Sequence, residues 1–183
     1  MSDEYHSEIF EHKGRKFIAR FYYDSDTGYP WDNDDTLSGL VSQWTSRNKG
    51  AGERVLVNDR GSKRFFDWST AMMIAKRDGW DAPPYKTGTK GQRAERAVSA
   101  TYEMLRGWCN DDWYYCGISV TLADGREEYT HALWGIESDN DKYHEEVMRE
   151  LADELLRDIG EDDETKARDM EASRPDMYSG ITP

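Results

Sequence analysis

The sequence predicts an α+β fold: an antiparallel sheet with about three helices packed mainly on one face. Three observations carry this. Stretches rich in β-branched and aromatic residues recur at 15–23, 113–122 and 127–136. Apolar residues at three- and four-residue steps mark helices near 68–78, 90–108 and 141–159. Asp124-Gly125 lies between the last two strand stretches, the dipeptide of a tight hairpin.

In chain order, residues 1–14 are polar and read as a flexible lead-in. RKFIARFYY, 15–23, is the first strand, and it runs into the loop DSDTGYPWDNDD. LVSQWTSR and ERVLV are short strands separated by NKGAG, and SKRFFDW is a further extended segment. Asp67 or Ser69 is placed to cap the helix that follows, and Gly79 to end it. DAPPYKTGTKG breaks any ladder, with two prolines among glycines and threonines. The helix over 90–108 puts Ala94, Ala97, Val98, Thr101, Leu105 and Trp108 on one face. The last helix, 141–159, carries the narrow stripe Met148, Leu151, Ala152, Leu155 and Ile159 between acidic faces. From Gly160 the charged tail, 160–183, is poor in large apolar side chains and is expected to be disordered. Residues 15–159 are thus expected to form one domain.

A two-residue turn at Asp124-Gly125 sets the register. Val120 then faces Tyr129, Ile118 faces His131 and Cys116 faces Leu133, all on the core side, with Tyr115 and Trp134 paired on the other. In that frame Cys116 is a small hydrophobe and His131 a core-edge histidine. A Cys116–His131 nucleophile pair, as in a hydrolase, has neither a third group nor an oxyanion loop at recognisable spacing, so no catalytic residue and no enzyme activity is expected. Cys109 and Cys116 have no CxxC spacing and complete no zinc site.

Composition narrows the class further. The chain has 183 residues, 37% hydrophobic, 13% aromatic and with seven Trp, enough for a core. It has no apolar run long enough to span a bilayer, and its first residues lack a signal peptide's basic and apolar regions. Two cysteines make no disulfide framework. Together these point to the cytoplasm. The net charge of −13 is unevenly spread: −5 over 1–42, +6 over 43–106, −4 over 107–136 and −10 over 137–183. Such asymmetry speaks of partners rather than of fold.

Three segments are candidate binding surfaces. Asp24, Asp26, Asp32, Asp34 and Asp35 crowd one loop, but an EF-hand needs a glycine at position 6, where Tyr29 stands. No metal or cofactor is therefore expected, and Tyr29 and Trp31 beside the carboxylates suit a protein interface. On the last helix Glu145, Glu146, Glu150, Asp153 and Glu154, with Asp158, space carboxylates along a rod, as phosphates are spaced along a nucleic acid. In the basic middle, Arg60, Lys63 and Arg64 are placed to contact phosphates and Phe65 or Phe66 to stack on a base, one of the two rings being core by alternation. GTKGQR lacks phosphate-loop spacing.

GERVLVNDRGSKRFFDWSTAMMIAKRDGWDAPPY, LRGWCNDDWYYCGISVTL and LWGIESD followed by VMRELADELL resemble an uncharacterised family of small acidic accessory proteins encoded by tailed bacteriophages. The resemblance covers roughly residues 15–157. It implies a phage origin and residence in the cytoplasm of an infected bacterium, and it carries over no activity and no site residue. Such accessory proteins often act on host machinery, including restriction and CRISPR systems. The function expected is therefore binding and inhibition of a host nucleic-acid-handling defence complex through an acidic surface that competes with nucleic acid. The alternative is nucleic-acid binding by 43–106.

Overall fold

The computed structural model describes residues 3–125 and 129–172, and the side chains of those up to residue 160. Its elements are β1 (Glu4–His12), β2 (Arg15–Tyr23), α1 (Pro30–Asn33), β3 (Glu53–Asp59), β4 (Ser62–Asp67), α2 (Trp68–Asp78), α3 (Lys90–Cys109), β5 (Tyr115–Leu122), β6 (Thr130–Glu137) and α4 (Asp141–Ala172). The fold is α+β with antiparallel sheets. Instead of one domain over 15–159, the chain divides into two compact units: Met1–Asp24 with Tyr115–Pro183, and Ser25–Tyr114. The helices divide likewise, so they do not share one sheet face.

Unit 1 is a four-stranded antiparallel sheet, order β1-β2-β5-β6, with α4 packed on β5 and β6. Phe17, Ala19 and Phe21 of β2 alternate inward beside Cys116, Ile118, Val120 and Leu122 of β5. α4 adds Val147 to the five predicted apolar positions, all buried. Burial of Val, Leu, Ile and Phe side chains at about 1.5–3 kcal/mol each holds helix to sheet.

Residues 1–14 are not a flexible lead-in: β1 pairs with β2 along its whole length. Lys13 (φ 49°) and Gly14 (φ 74°) form the two-residue turn that sets His12 opposite Arg15. Positive φ at both central residues gives the backbone twist that flanking strands require. The Asp124-Gly125 turn departs from expectation for the same reason. Gly125 has φ 88°, but Asp124 is not left-handed, and Thr121 pairs with Thr130. The connection passes through residues 126–128, outside the described residues. Val120 therefore faces His131 and Ile118 faces Leu133, two positions from the expected register. An irregularity between Cys116 and Ile118 shifts the rest, pairing Cys116 with Ile136 and Tyr115 with Glu137. As a result Ile136 is buried and Leu133 is 40% exposed. The α4 backbone runs to Ala172, through the first half of the tail expected to be disordered. Residues 161–172 contain good helix formers and neither Gly nor Pro, which explains the continuation. Residues 173–183 lie outside the described residues.

Unit 2 pairs β3 with β4 across a second two-residue turn, Arg60 (φ 48°) and Gly61 (φ 92°). Val41 and Thr45 bridge to the other side of β4. Asp67 caps α2, accepting from the Thr70 N–H at 2.9 Å, and Gly79 (φ 78°) ends it. Thr89 and Gln92 form a capping box at the start of α3. Trp31, Leu37, Leu40, Leu56, Phe66, Val98 and Leu105 fill this core, with small alanines of α2 and α3 between them.

Candidate acidic interface

The charge follows the units. Unit 1 has 24 Asp and Glu against 11 Lys and Arg, net −13, whereas unit 2 has 13 of each. α4 alone holds 13 acidic and 5 basic residues in 32 positions, about 48 Å of helix at 1.5 Å per residue. Burial of Val147, Met148, Leu151, Leu155 and Ile159 fixes which side of α4 faces the sheet. Glu145, Glu146, Glu150 and Glu154 stand on the exposed remainder.

Several of these carboxylates are paired within the unit. Asp153 meets the Lys13 ammonium at 2.8 Å and His12 Nε2 at 2.6 Å. Those contacts, Lys13 first, hold its carboxyl below the usual range. His131, half-buried and opposite Val120 rather than Ile118, lies 2.8 Å from Asp158 and 3.5 Å from Glu154, so its ring is partnered by the carboxylates of α4. Glu145 pairs with Arg149 at 3.2 Å and Glu146 with Lys142 at 3.7 Å, along the helix. Such exposed pairs contribute about 0–1 kcal/mol each and leave the helix strongly acidic. Glu150 has no ion pair among the described residues.

The 24–35 loop is less available than its composition suggests. Asp24 belongs to unit 1, where its Oδ2 accepts from the Gly135 N–H at 2.9 Å. In unit 2, Asp34 Oδ1 accepts from the Thr36 N–H and hydroxyl at 2.8 and 2.6 Å. Trp31, expected as an exposed anchor, is 7% exposed because it stacks on Tyr29 at 4.8 Å and meets Trp108 edge-on at 5.4 Å. Tyr29 is half-exposed, and Asp26, Asp32 and Asp35 are exposed. Among the described residues, no three His, Cys, Asp or Glu side chains converge as for a metal.

The basic-aromatic segment is mostly interior. Phe65 and Phe66 are both buried, not one inside and one outside. β4 is covered on both faces: the Arg47 guanidinium lies 4.5 Å from the Phe65 ring, and Phe66 packs against Trp68 and Tyr102. Neither ring is open to a base. Arg64, 4% exposed, lies 4.8, 5.0 and 5.1 Å from the Tyr29, Trp31 and Trp44 rings and donates to the Ser42 carbonyl at 3.2 Å. It is therefore not a free phosphate contact. Lys63 is half-buried and Arg60 fully exposed at the turn.

Among the described residues, the imidazole nearest Cys116 is not placed to act as a base. His131 is not beside Cys116; the nearby imidazole is His144, with Nε2 4.0 Å from Sγ. That same Nε2 lies 2.8 Å from the Glu137 carbonyl, which only accepts, so Nε2 carries the proton. It has no lone pair to take a proton from the thiol. Burial pushes the Cys116 thiol up, and the half-buried Cys109 thiol up to about 11. His144 escaped the sequence reading although it extends the buried α4 stripe one turn back from Met148. The pairing of His12 and Lys13 with Asp153 spans 141 positions and left no sequence signal.

No described helix is long and apolar enough to cross a membrane. No protein-family model, curated protein or solved structure matches the chain.

Proposed function

We propose that this chain is a phage accessory protein that binds and inhibits a host protein, a nucleic-acid-handling defence complex of the restriction or CRISPR type. It acts in the cytoplasm of the infected bacterium, through the acidic surface of unit 1. The observation that carries the reading is the partition of charge: all of the −13 belongs to unit 1, with the largest share on one continuous helix. A basic groove built for phosphates attracts such a rod from a distance, and bound carboxylates occupy the positions phosphates would take. The resemblance to phage accessory proteins supports the same reading.

Within that surface α4 leads, with Glu145, Glu146, Glu150 and Glu154 on its exposed side. Asp153 serves more in holding α4 to the β1–β2 turn. Asp26, Asp32 and Asp35 lie in unit 2, outside that surface, and are secondary, because Trp31 offers no exposed ring beside them. Nucleic-acid binding by 43–106 loses support, since Arg64, Phe65 and Phe66 are interior and the +6 of that segment is offset by acidic residues elsewhere in unit 2. The test is affinity capture by the whole chain from a phage-sensitive host extract, with identification of the retained protein. Retention of a nucleic-acid-handling protein is the expected result; no specific retention rejects the proposal.

A further inference from the structure

We propose that unit 2 holds a receptor slot for an arginine side chain of a partner polypeptide. The slot is a cavity of about 400 Å³ formed by one face of α3, the 34–37 segment and the 80–82 segment. It rests on unit 2 alone and is independent of the role proposed for α4.

The walls are preformed. The left-handed Gly79 turns the chain at the end of α2, and the Trp80 N–H bonds back to the Ala75 carbonyl at 3.0 Å, which sets the half-buried indole beside the cavity. Asp81 locks the next turn. Its Oδ2 accepts from the Lys86 N–H at 2.6 Å, and its Oδ1 from the Ala82 N–H at 3.0 Å and from Arg96 at 3.2 Å. On α3, the small Ala97 and Ala100 leave the space open, and Met104 also lines it.

The ligand class follows from the charge that is left over. Asp81 is already matched by Arg96, with Arg93 at 3.9 Å. Asp34 is not matched: Thr36 uses only Oδ1, and among the described residues Oδ2 has no hydrogen-bond partner and Asp34 no ion pair. An anionic ligand is repelled by the unmatched Asp34 carboxylate. A guanidinium is planar, weakly hydrated and suited to lie against an indole, and its fork of donors suits a carboxylate. Its three-methylene stem suits the alanine floor. A cavity of this size has room for one long side chain.

The experiment is an NMR titration of the whole isotope-labelled chain with N-acetyl-arginine methylamide. It follows the Trp80 indole N–H, identified by its absence in Trp80→Phe, and the Met104 methyl. Saturable shifts of both are expected, with binding at least tenfold weaker for the neutral citrulline analogue and in Asp34→Asn, and severalfold weaker for the lysine analogue. Ala100→Leu, at an exposed helix position, fills the slot and abolishes the shifts while the rest of the spectrum stays in place. Absence of saturation overturns the proposal, as does equal binding of the citrulline analogue or indifference to Asp34→Asn or Ala100→Leu. Equal binding of the lysine analogue overturns the assignment to arginine.

Discussion

Trp134 lies flat over Gly117: a Cβ built on that glycine would stand 2.2 Å from the Trp134 ring carbon Cε3. The ring also lies 5.9 Å from Tyr22, whose register partner is Gly117. The missing side chain at 117 is what lets an indole cover the middle of the sheet opposite α4. Gly117→Ala is expected to destabilise the fold by about 1–3 kcal/mol, the usual cost of overpacking. The Gly117→Ala/Trp134→Ala pair should lose less than the sum of the two single variants. Urea unfolding of the four proteins measures this, and additivity would contradict it.

Asp153 ties α4 to the β1–β2 turn through Lys13 and His12. Its carboxyl is depressed in the fold, so its contribution is present above the ordinary carboxylate range, near 3.9, and is lost as pH falls through the lower folded value. Asp153→Asn should lower Tm at pH 7, and the gap between variant and wild type should close on acidification below about 4. A gap that persists at acid pH would mean the carboxylate's charge is not what matters.

Arg64 is a buried cation whose neighbours are three aromatic faces and one carbonyl, with no carboxylate in ion-pair distance among the described residues. A lysine at this position cannot lie flat on the rings and is more strongly hydrated. Arg64→Lys should cost about 1–3 kcal/mol of stability. Equal urea midpoints would contradict the packing role.

The two thiols should behave as core groups. Both are raised by burial, and His144 Nε2 already donates to a carbonyl. Alkylation of the native chain at pH 8 is expected to be much slower than that of the urea-unfolded chain at both Cys109 and Cys116. Rapid native labelling of Cys116 would revive a nucleophile at that position.

Local signals were legible in the sequence and long-range ones were not. Asp67 and Gly79 cap α2 through neighbours three or four residues away, and the α4 stripe repeats within one helix. The register across Asp124-Gly125 went wrong because the dipeptide permits a tight turn without requiring one. Lys13-Gly14 and Arg60-Gly61 make such turns with less typical residues at the first position. The division into two units was hidden because β2 pairs with β5 some hundred positions away, so unit 2 is an insertion between neighbouring strands. Charge composition pointed to acidic surfaces, but only packing shows that Trp31 turns inward while Glu150 stands exposed.

The two acidic surfaces separate by charge reversal. Glu145→Lys, Glu146→Lys and Glu150→Lys together should weaken partner binding more than tenfold, mainly through the association rate. Asp32→Lys with Asp35→Lys should change it severalfold at most. The reverse ranking, measured on folded variants by surface plasmon resonance, would move the interface to the loop.

The central claim is that the acidic rod of α4 occupies a site built for nucleic acid. Its most direct measurement is competition: the captured host protein is held on the immobilised chain and challenged with double-stranded DNA or RNA at fixed ionic strength. Release that follows the host protein's own affinity for the nucleic acid, together with failure of the Glu145→Lys/Glu146→Lys/Glu150→Lys chain to retain it, is the result predicted. Retention unaffected by saturating nucleic acid, or retained in full by the reversed chain, would contradict it.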